Sequence, residues 1–453
     1  MEENSNNSFY YSLSDMKNLK TAFRDAIIEN RRVRNEKMFF PTHLYIHNVG
    51  KNSGSGKIGS KPDILNNTME PGGGALVAKP VNLLCPSDKE KKVLAIDLGG
   101  SFLKLCVYKL RNDEIVSHTR LKKYKILKDG SLSNTSMFDW VASKTHDFLM
   151  CEIREKVIDS EKSNITLCRL IDEDFMNNLT AGMTISYPIQ HCALNSGYIR
   201  EIGKDFPFKG IDIQKEELVE CTTKAFKRYN INIQIKVLLN DTTATLASAV
   251  RSDNVFYVGI VLGTGTNIAF NDRVLYENQV INTEIASFDS DHLRKNIYDM
   301  KIREDILSSN KIYKPLDCML GGYQLVKLFN IAIKDQFDRE NYTLDDIVHL
   351  LDLPPGNSNY TEEFYVILSI KKRTMRILAS MVFGILEAQE VNSRIKIVLN
   401  GTVFEQDYDR RIFIDEIRRL CADSSSYKYK NFTFESICDA TLRGIARILL
   451  QID

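Results

Sequence analysis

Apolar positions recur along this chain with two distinct periods. Leu13, Met16, Leu19, Phe23 and Ile27 return every three or four residues behind Ser12 or Ser14, either of which can cap a helix. That spacing predicts an amphipathic helix of about 20 residues that docks on a larger body. Val93–Ile96 is an apolar run that enters Asp97-Leu98-Gly99-Gly100-Ser101, after which Leu103, Leu105 and Val107 alternate. Val255–Leu262 enters Gly263-Thr264-Gly265-Thr266-Asn267, followed by Ile268-Ala269-Phe270. Each segment predicts strand, glycine-rich turn, strand, and their placement in separate halves predicts two related lobes. Elsewhere the periods alternate. Leu218–Tyr229, Met375–Val391, Glu416–Leu420 and Thr441–Leu450 read as helices, and Ile233–Leu239 and Ile395–Leu399 as strands. This alternation predicts an α/β protein with buried sheets. Residues 49–76 break both periods; Gly, Ser, Asn and Lys dominate, as in a mobile excursion. GSGKIGSK within it is no phosphate loop, because no apolar strand runs into it and no window reads GxxxxGK[ST].

Composition narrows the class. The chain has 453 residues, 43% hydrophobic and 26% charged, which suits a globular protein with a sizeable core. Sixty basic residues against 59 acidic ones give a net charge of +1, which argues against a dedicated nucleic-acid binder. The N-terminus is polar and acidic, without the pattern of a secretory leader. The longest apolar stretch, Ile377–Leu386, is too short to span a bilayer and carries Ser380, so no membrane partner is expected. The nine cysteines are odd in number and form no CxxC pair. They read as reduced thiols, and the expected location is cytoplasmic. The seven histidines are scattered, so no protein-held zinc is expected.

The chemistry-bearing residues gather at strand ends. Glycines in a hairpin turn let backbone N–H groups close around a phosphate, and Ser101, Thr264 and Thr266 add hydroxyls. Asp97, ending a buried strand, suits either an Mg²⁺ ion, held directly or through water, or an Asx turn. Asn240-Asp241 ends another apolar strand, where ligand sites of open α/β sheets lie. Asp241 is placed to take a proton from an attacking hydroxyl, or one of the pair caps a helix. Asn282-Thr283-Glu284 and Asp317 supply the carboxylates and amides that recognise a polyol.

Taken in order, these segments resemble the hexokinase family of sugar kinases over about residues 38–450. MFFPTHL at Met38–Leu44 resembles an MxPT segment, and DLGGSFLKL at Asp97–Leu105 the phosphate motif DLGGTNLRV. Ser186–Lys204 is similar to the sugar-binding stretch SFP…GxLxxWTK, NDTTAT at Asn240–Thr245 to NDTVGT, and INTEIASF at Ile281–Phe288 to INTEWGAF. GTGTN at Gly263–Asn267 matches the second phosphate motif, and VLNGTVF at Val398–Phe404 resembles VDGSVY of the adenosine site. The resemblance implies a two-lobed actin-like ATPase fold, ribonuclease H-like, with a central cleft. Its implied divisions are 1–91 (N-terminal helix and excursion, part of the large lobe), 92–239 (small lobe), 240–438 (large lobe) and 439–453 (a helix returning to the small lobe). It further implies transfer of the γ-phosphoryl group of Mg·ATP to the C6 hydroxyl of a hexose, with Asp241 as general base. Ser186, Lys204, Asn240, Asp241, Asn267, Glu284 and Asp317 would hold the sugar. Asp97, Gly99, Gly100, Ser101, Lys104, Gly263, Thr264, Gly265, Thr266, Gly401 and Thr402 would hold ATP, with Asp97 on the Mg²⁺ side, directly or through water. The expected partner is a hexose or amino-sugar substrate, and the expected state a monomer or homodimer.

Departures from the family pattern define alternatives. Phe102 and Lys104 stand for Asn and Arg, Ile202 and Gly203 for Trp and Thr, Asp205 for Gly, and Ala286-Ser287 for Gly-Ala. Asp317 stands for a Glu, and ESICDATL at Glu435–Leu442 lacks the glycines of DGSGxGAA. Smaller residues on the sugar side suit an N-acetylglucosamine kinase on the same scaffold. The altered nucleotide segment suits a catalytically weak or inactive sugar sensor. Retention of Asp97, Lys204, Asp241, Glu284 and GTGTN favours an active kinase.

Overall fold

The structure, a computed structural model, describes residues 8–32, 38–46, 81–82, 90–112, 114–159, 179–202, 206–209, 213–274, 278–339, 341–351, 361–422 and 431–452. The excursion expected at 49–76 lies outside the described residues.

The strands in chain order are β1 Phe40–Tyr45, β2 Val81–Asn82, β3 Lys91–Leu98, β4 Phe102–Arg111 and β5 Glu114–His118. They continue with β6 Lys122–Lys125, β7 Leu179–Ile185, β8 Ile189–Ala193, β9 Ser196–Ile199 and β10 Gln234–Asn240. The last are β11 Val255–Leu262, β12 Thr266–Asp272, β13 Gln279–Asn282, β14 Arg394–Asn400 and β15 Phe432–Ser436. One sheet runs β15-β14-β11-β12-β13-β1-β2, the other β10-β7-β3-β4-β5, with β6 also paired to β4. In both, an antiparallel meander (β3-β4-β5 and β11-β12-β13) joins two parallel strands (β7, β10 and β14, β15) at the side of its first strand. The two glycine-rich turns occupy the same place in each repeat, as the paired sequence pattern predicts. The second turn is tighter than the sequence suggests, since Thr266 and Asn267 already belong to β12.

Between the sheets lie two helices, Asp241–Ala249 and Ala440–Leu450, packed on each other and on both sheets. Small residues set the spacing. A Cβ at Gly444 would lie 1.9 Å from the Ala244 carbonyl oxygen, one at Gly259 on β11 2.8 Å from Leu246 Cβ, and one at Gly182 on β7 2.4 Å from Ile445 Cγ2. The helix pair is thereby pressed into both sheets without gaps.

The N-terminal helix, Leu13–Arg32, forms as its period predicts. Ser12 Oγ accepts from the Asp15 N–H at 3.0 Å and Asp15 returns a bond to the Ser12 N–H, so Ser12 is the cap. Met16, Leu19, Phe23 and Ile27 are buried against the helix Glu362–Ala388. That long helix starts well before the Met375 expected from the sequence. Lys371, Arg373 and Arg376 are buried within it, each facing a carboxylate: Asp409 at 2.5 Å, Asp299 at 2.6 Å and Glu416 at 3.0 Å. The helix around Glu416–Leu420 likewise extends over Asp407–Ala422. No helix among the described residues is long and apolar enough to cross a membrane.

Gly444→Ala should lower stability by about 3 kcal/mol or more, at the upper end of overpacking penalties, because the added methyl meets a helix backbone on one side and Ile445 is already wedged against β7. Thermal unfolding of the variant checks this; an unchanged midpoint would refute the proposed tightness of the helix pair.

Candidate functional site

A cavity of about 1110 Å³ lies at the carboxyl ends of β3, β10, β11 and β14, lined by both glycine-rich turns, by Asn240 and Asp241, and by Glu284. The β-strand registers explain why these residues meet. Thr184 on β7, Asp97 on β3, Lys104 on β4 and Lys123 on β6 are direct cross-strand partners, so they share one row across the sheet.

Within that row, buried Asp97 is held by three groups. Its Oδ1 accepts from Thr184 Oγ1 at 2.7 Å, its Oδ2 accepts from Thr441 Oγ1 at 2.8 Å, and Lys104 Nζ lies 3.5 Å from Oδ2. Burial opposes the charge on Lys104, but Asp97 and then Asp439 more than offset it and hold the ammonium above its ordinary range. Lys123, Lys125 and Lys128 also line this end of the cavity. The second turn closes over it from the other sheet: Ser101 Oγ and Thr264 Oγ1 lie 3.2 Å apart across the cleft. Gly401 sits under that turn with φ +104°, and a Cβ there would meet the Leu262 carbonyl oxygen at 2.4 Å, so only glycine fits. Thr402 follows it on the cavity wall.

Asn240 caps the helix Asp241–Ala249, its Oδ1 accepting from the Thr242 N–H at 3.0 Å. Of the sequence pair, Asn240 is therefore the cap, and Asp241 lines the cavity. Asp241 Oδ2 accepts from Ser186 Oγ at 2.5 Å and Oδ1 from Thr242 Oγ1 at 3.1 Å. Its position in the first turn of that helix favours a negative charge.

Beside it is a buried amide–carboxylate network. Glu284 Oε1 accepts from Asn282 Nδ2 at 2.8 Å, Asn267 Nδ2 at 3.4 Å and Asn240 Nδ2 at 3.5 Å. Glu284 itself has φ +50°, a left-handed backbone that costs a non-glycine residue about 1–3 kcal/mol. Such strain persists where surrounding contacts enforce it, and here three amides grip the side chain.

Asp317 also lines the cavity, beside the second glycine-rich turn. Its Oδ1 accepts from the Thr266 N–H at 2.6 Å, and its carboxylate lies directly over Gly265. It buttresses the second glycine-rich turn and makes no bond to the amide network. Lys204 lies outside the described residues, as do Gly203 and Asp205. Ser186, Asn240, Asp241, Asn267 and Glu284 come together on one side of the cavity. Asp97, Gly99–Ser101, Lys104, Gly263–Thr266, Gly401 and Thr402 gather on the other. Sequence reasoning missed Thr184, Thr441, Lys123, Lys125 and Lys128. Lys123 and Lys125 carried a local signal, the period-2 lysines of KKYK.

Asp97 is one carboxylate, and no group of three His, Cys, Asp or Glu side chains poised to hold a metal occurs among the described residues. This donor set fits a hard cation that takes most of its oxygen ligands from phosphate and water.

Comparison with known proteins agrees with this geometry. Two successive family models, both described as Hexokinase, match residues 76–250 and 257–353, together more than half of the chain. A hexokinase of Schwanniomyces occidentalis is 26% identical over 287 residues, covering 59% of this chain and 55% of that protein. Hexokinase-2 of Saccharomyces cerevisiae is 28% identical over 274 residues, covering 56% and 51%. The chain thus spans about half the length of the curated relatives it matches. Among solved structures, a hexokinase from Schistosoma mansoni complexed with glucose superposes with a TM-score of 0.67 at 17% identity, covering 98% of this chain and 97% of that one. At that identity the likeness establishes the two-lobed α/β fold. The two matched models meet at the cleft, the first carrying Asp97 and Asp241 and the second the GTGT turn and Glu284: the chain belongs to the hexokinase family.

Proposed function

We propose that the protein is an ATP-dependent hexose kinase that phosphorylates the C6 hydroxyl of a glucose-like sugar. The observation that carries this reading is the placement of Asp241. Its carboxylate is held by Ser186 and Thr242 and lies between the Glu284 network and the paired glycine-rich turns. A sugar held by Asn240, Asn267 and Glu284 presents a hydroxyl to Asp241. Asp241 accepts the proton, the sugar oxygen forms a bond to the γ-phosphorus, and the bond from that phosphorus to the bridging oxygen of ADP breaks. Most of the catalysis in such a loose transition state is positioning and charge neutralisation. Lys104, Lys123 and the N–H groups of the two turns supply positive potential at the phosphate end. Asp97 would hold Mg²⁺ directly or through water, and the ion would supply further charge neutralisation at the phosphates. Closure of the cleft excludes water and limits wasteful hydrolysis of ATP. The lobes divide at 92–239 and 240–438, with 439–453 returning to the small lobe; the two separate sheets and the contact of the helix Ala440–Leu450 with β3 and β7 support this division.

Two outcomes test the reading. A coupled ADP-release assay across glucose, fructose, mannose, glucosamine and N-acetylglucosamine should show sugar-dependent turnover. Asp241→Asn should lower kcat by about 10²–10⁴, the span of general base catalysis, while the sugar still raises the melting temperature. Turnover unchanged by this variant would remove Asp241 from the mechanism, and a thermal shift without turnover in the parent protein would favour a sensor.

Thr441→Val deletes one of the hydroxyls on Asp97. It should raise KM for Mg·ATP about 3- to 10-fold, the worth of a single hydrogen bond, with Thr441→Ser restoring it. A raised KM in Thr441→Ser with none in Thr441→Val in steady-state kinetics would show that the methyl group, not the hydroxyl, matters there.

A further inference from the structure

A second recess, of about 190 Å³, opens behind Glu284, and it shares Glu284, Pro188 and Lys314 with the main cavity. Asp241 lines the main cavity and not the recess. A sugar that offers one hydroxyl to Asp241 and rests on Glu284 therefore turns its opposite edge toward the recess. Two residues of the β9 side reach into it. Arg200 places its guanidinium 4.8 Å from the centre of the Phe40 ring, and Glu201 Oε1 lies 2.9 Å from Lys314 Nζ. Phe40 belongs to β1 and Lys314 to the start of the helix Pro315–Leu320, both parts of the larger sheet's lobe. Glu201 and Arg200 follow β9 on the other lobe. Lys314 is buried, yet Glu201 keeps nearly a third of its side chain exposed.

We infer that Glu201, steadied by Lys314, is a specificity-determining carboxylate delivered across the cleft, and that the recess reads the ring hydroxyls at the sugar edge remote from C6. A hydroxyl there donates to Glu201 and accepts from Lys314. A sugar lacking that hydroxyl leaves a charged pair facing no partner, which is how a site built for a hydroxyl rejects its deoxy analogue. Because the pair forms between lobes, the same contacts register both the sugar and the closed cleft.

This inference rests on the hexose-kinase reading, and the experiment separates the two. The probes are glucose, 2-deoxyglucose and 1,5-anhydroglucitol, which lack the hydroxyls on C2 and C1, with the parent protein, Glu201→Gln and Lys314→Met. Glu201→Gln should lower kcat/KM for glucose about 10- to 100-fold, the span of a charge-assisted hydrogen bond, mostly through KM. For at least one of the two analogues the loss should be under about threefold, so the preference for glucose over it collapses. Lys314→Met should do the same, and KM for Mg·ATP should not move. Equal losses for all three sugars would overturn the inference and leave the pair as a latch between lobes. Calorimetric binding of the same sugars gives a readout independent of turnover. Selective glucose binding lost in Glu201→Gln would support the inference even in a chain that transfers no phosphate. Binding of glucose and both analogues with equal affinity by the parent protein would overturn it, and binding of none would overturn it together with the kinase reading.

Discussion

The geometry of the cleft depends on one close-packed contact, that between the helices Asp241–Ala249 and Ala440–Leu450. Gly444 brings one helix backbone against Ala244 of the other, Gly259 brings β11 against Leu246, and Gly182 brings β7 against Ile445. A helix pair wedged this tightly cannot shift by a methyl group without moving a sheet. Asp241 is the first residue of one helix, and Thr441, which holds Asp97, sits in the first turn of the other. The proposed base and the carboxylate of the phosphate side are thus fixed relative to each other through packed backbone, although 144 positions of sequence separate them.

The two halves of the cavity use opposite electrostatics for physical reasons. At the proposed phosphate end the charge to be met would be negative and spread over several oxygens, which suits the lysines and backbone N–H groups there. At the proposed sugar end the ligand would be neutral and rich in hydroxyls, which suits the carboxylates and amides there. A buried carboxylate is costly unless it is fully hydrogen-bonded. Glu284 Oε1 is met by three asparagines, contacts that help enforce its left-handed backbone. Asp97 meets that condition through two threonines and a lysine.

Much of this architecture was legible in the sequence because it rests on local pattern. The paired strand–glycine–strand segments and the docking face of Leu13–Arg32 are periodicities of two and of three to four, and the folded elements follow them. What escaped were interactions without a local signature. The run Lys371-Lys372-Arg373 precedes the Met375 start that the sequence predicts, yet two of its three charges are buried against Asp409 and Asp299 from distant segments. Only tertiary pairing makes that stretch helical and interior. Asp317 was legible as a carboxylate of the cleft but not in its direction. Its Oδ1 accepts from the Thr266 N–H, and the missing Cβ of Gly265 leaves the space its carboxylate fills. Thr184 and Thr441 matter only through a partner 87 and 344 residues away, respectively.

The cross-cleft contacts show how these fixed parts act together. At the phosphate end the lobes touch through Ser101 and Thr264, a neutral pair of hydroxyls with little intrinsic strength. At the sugar end they touch through a lysine–glutamate pair and an arginine over an aromatic ring. The charged contacts therefore lie at the end where the proposed sugar would sit, and the neutral pair where the proposed nucleotide's phosphates would lie. That asymmetry suits the proposed kinase, in which a hydroxyl held under its base before phosphate arrives keeps ATP from facing water.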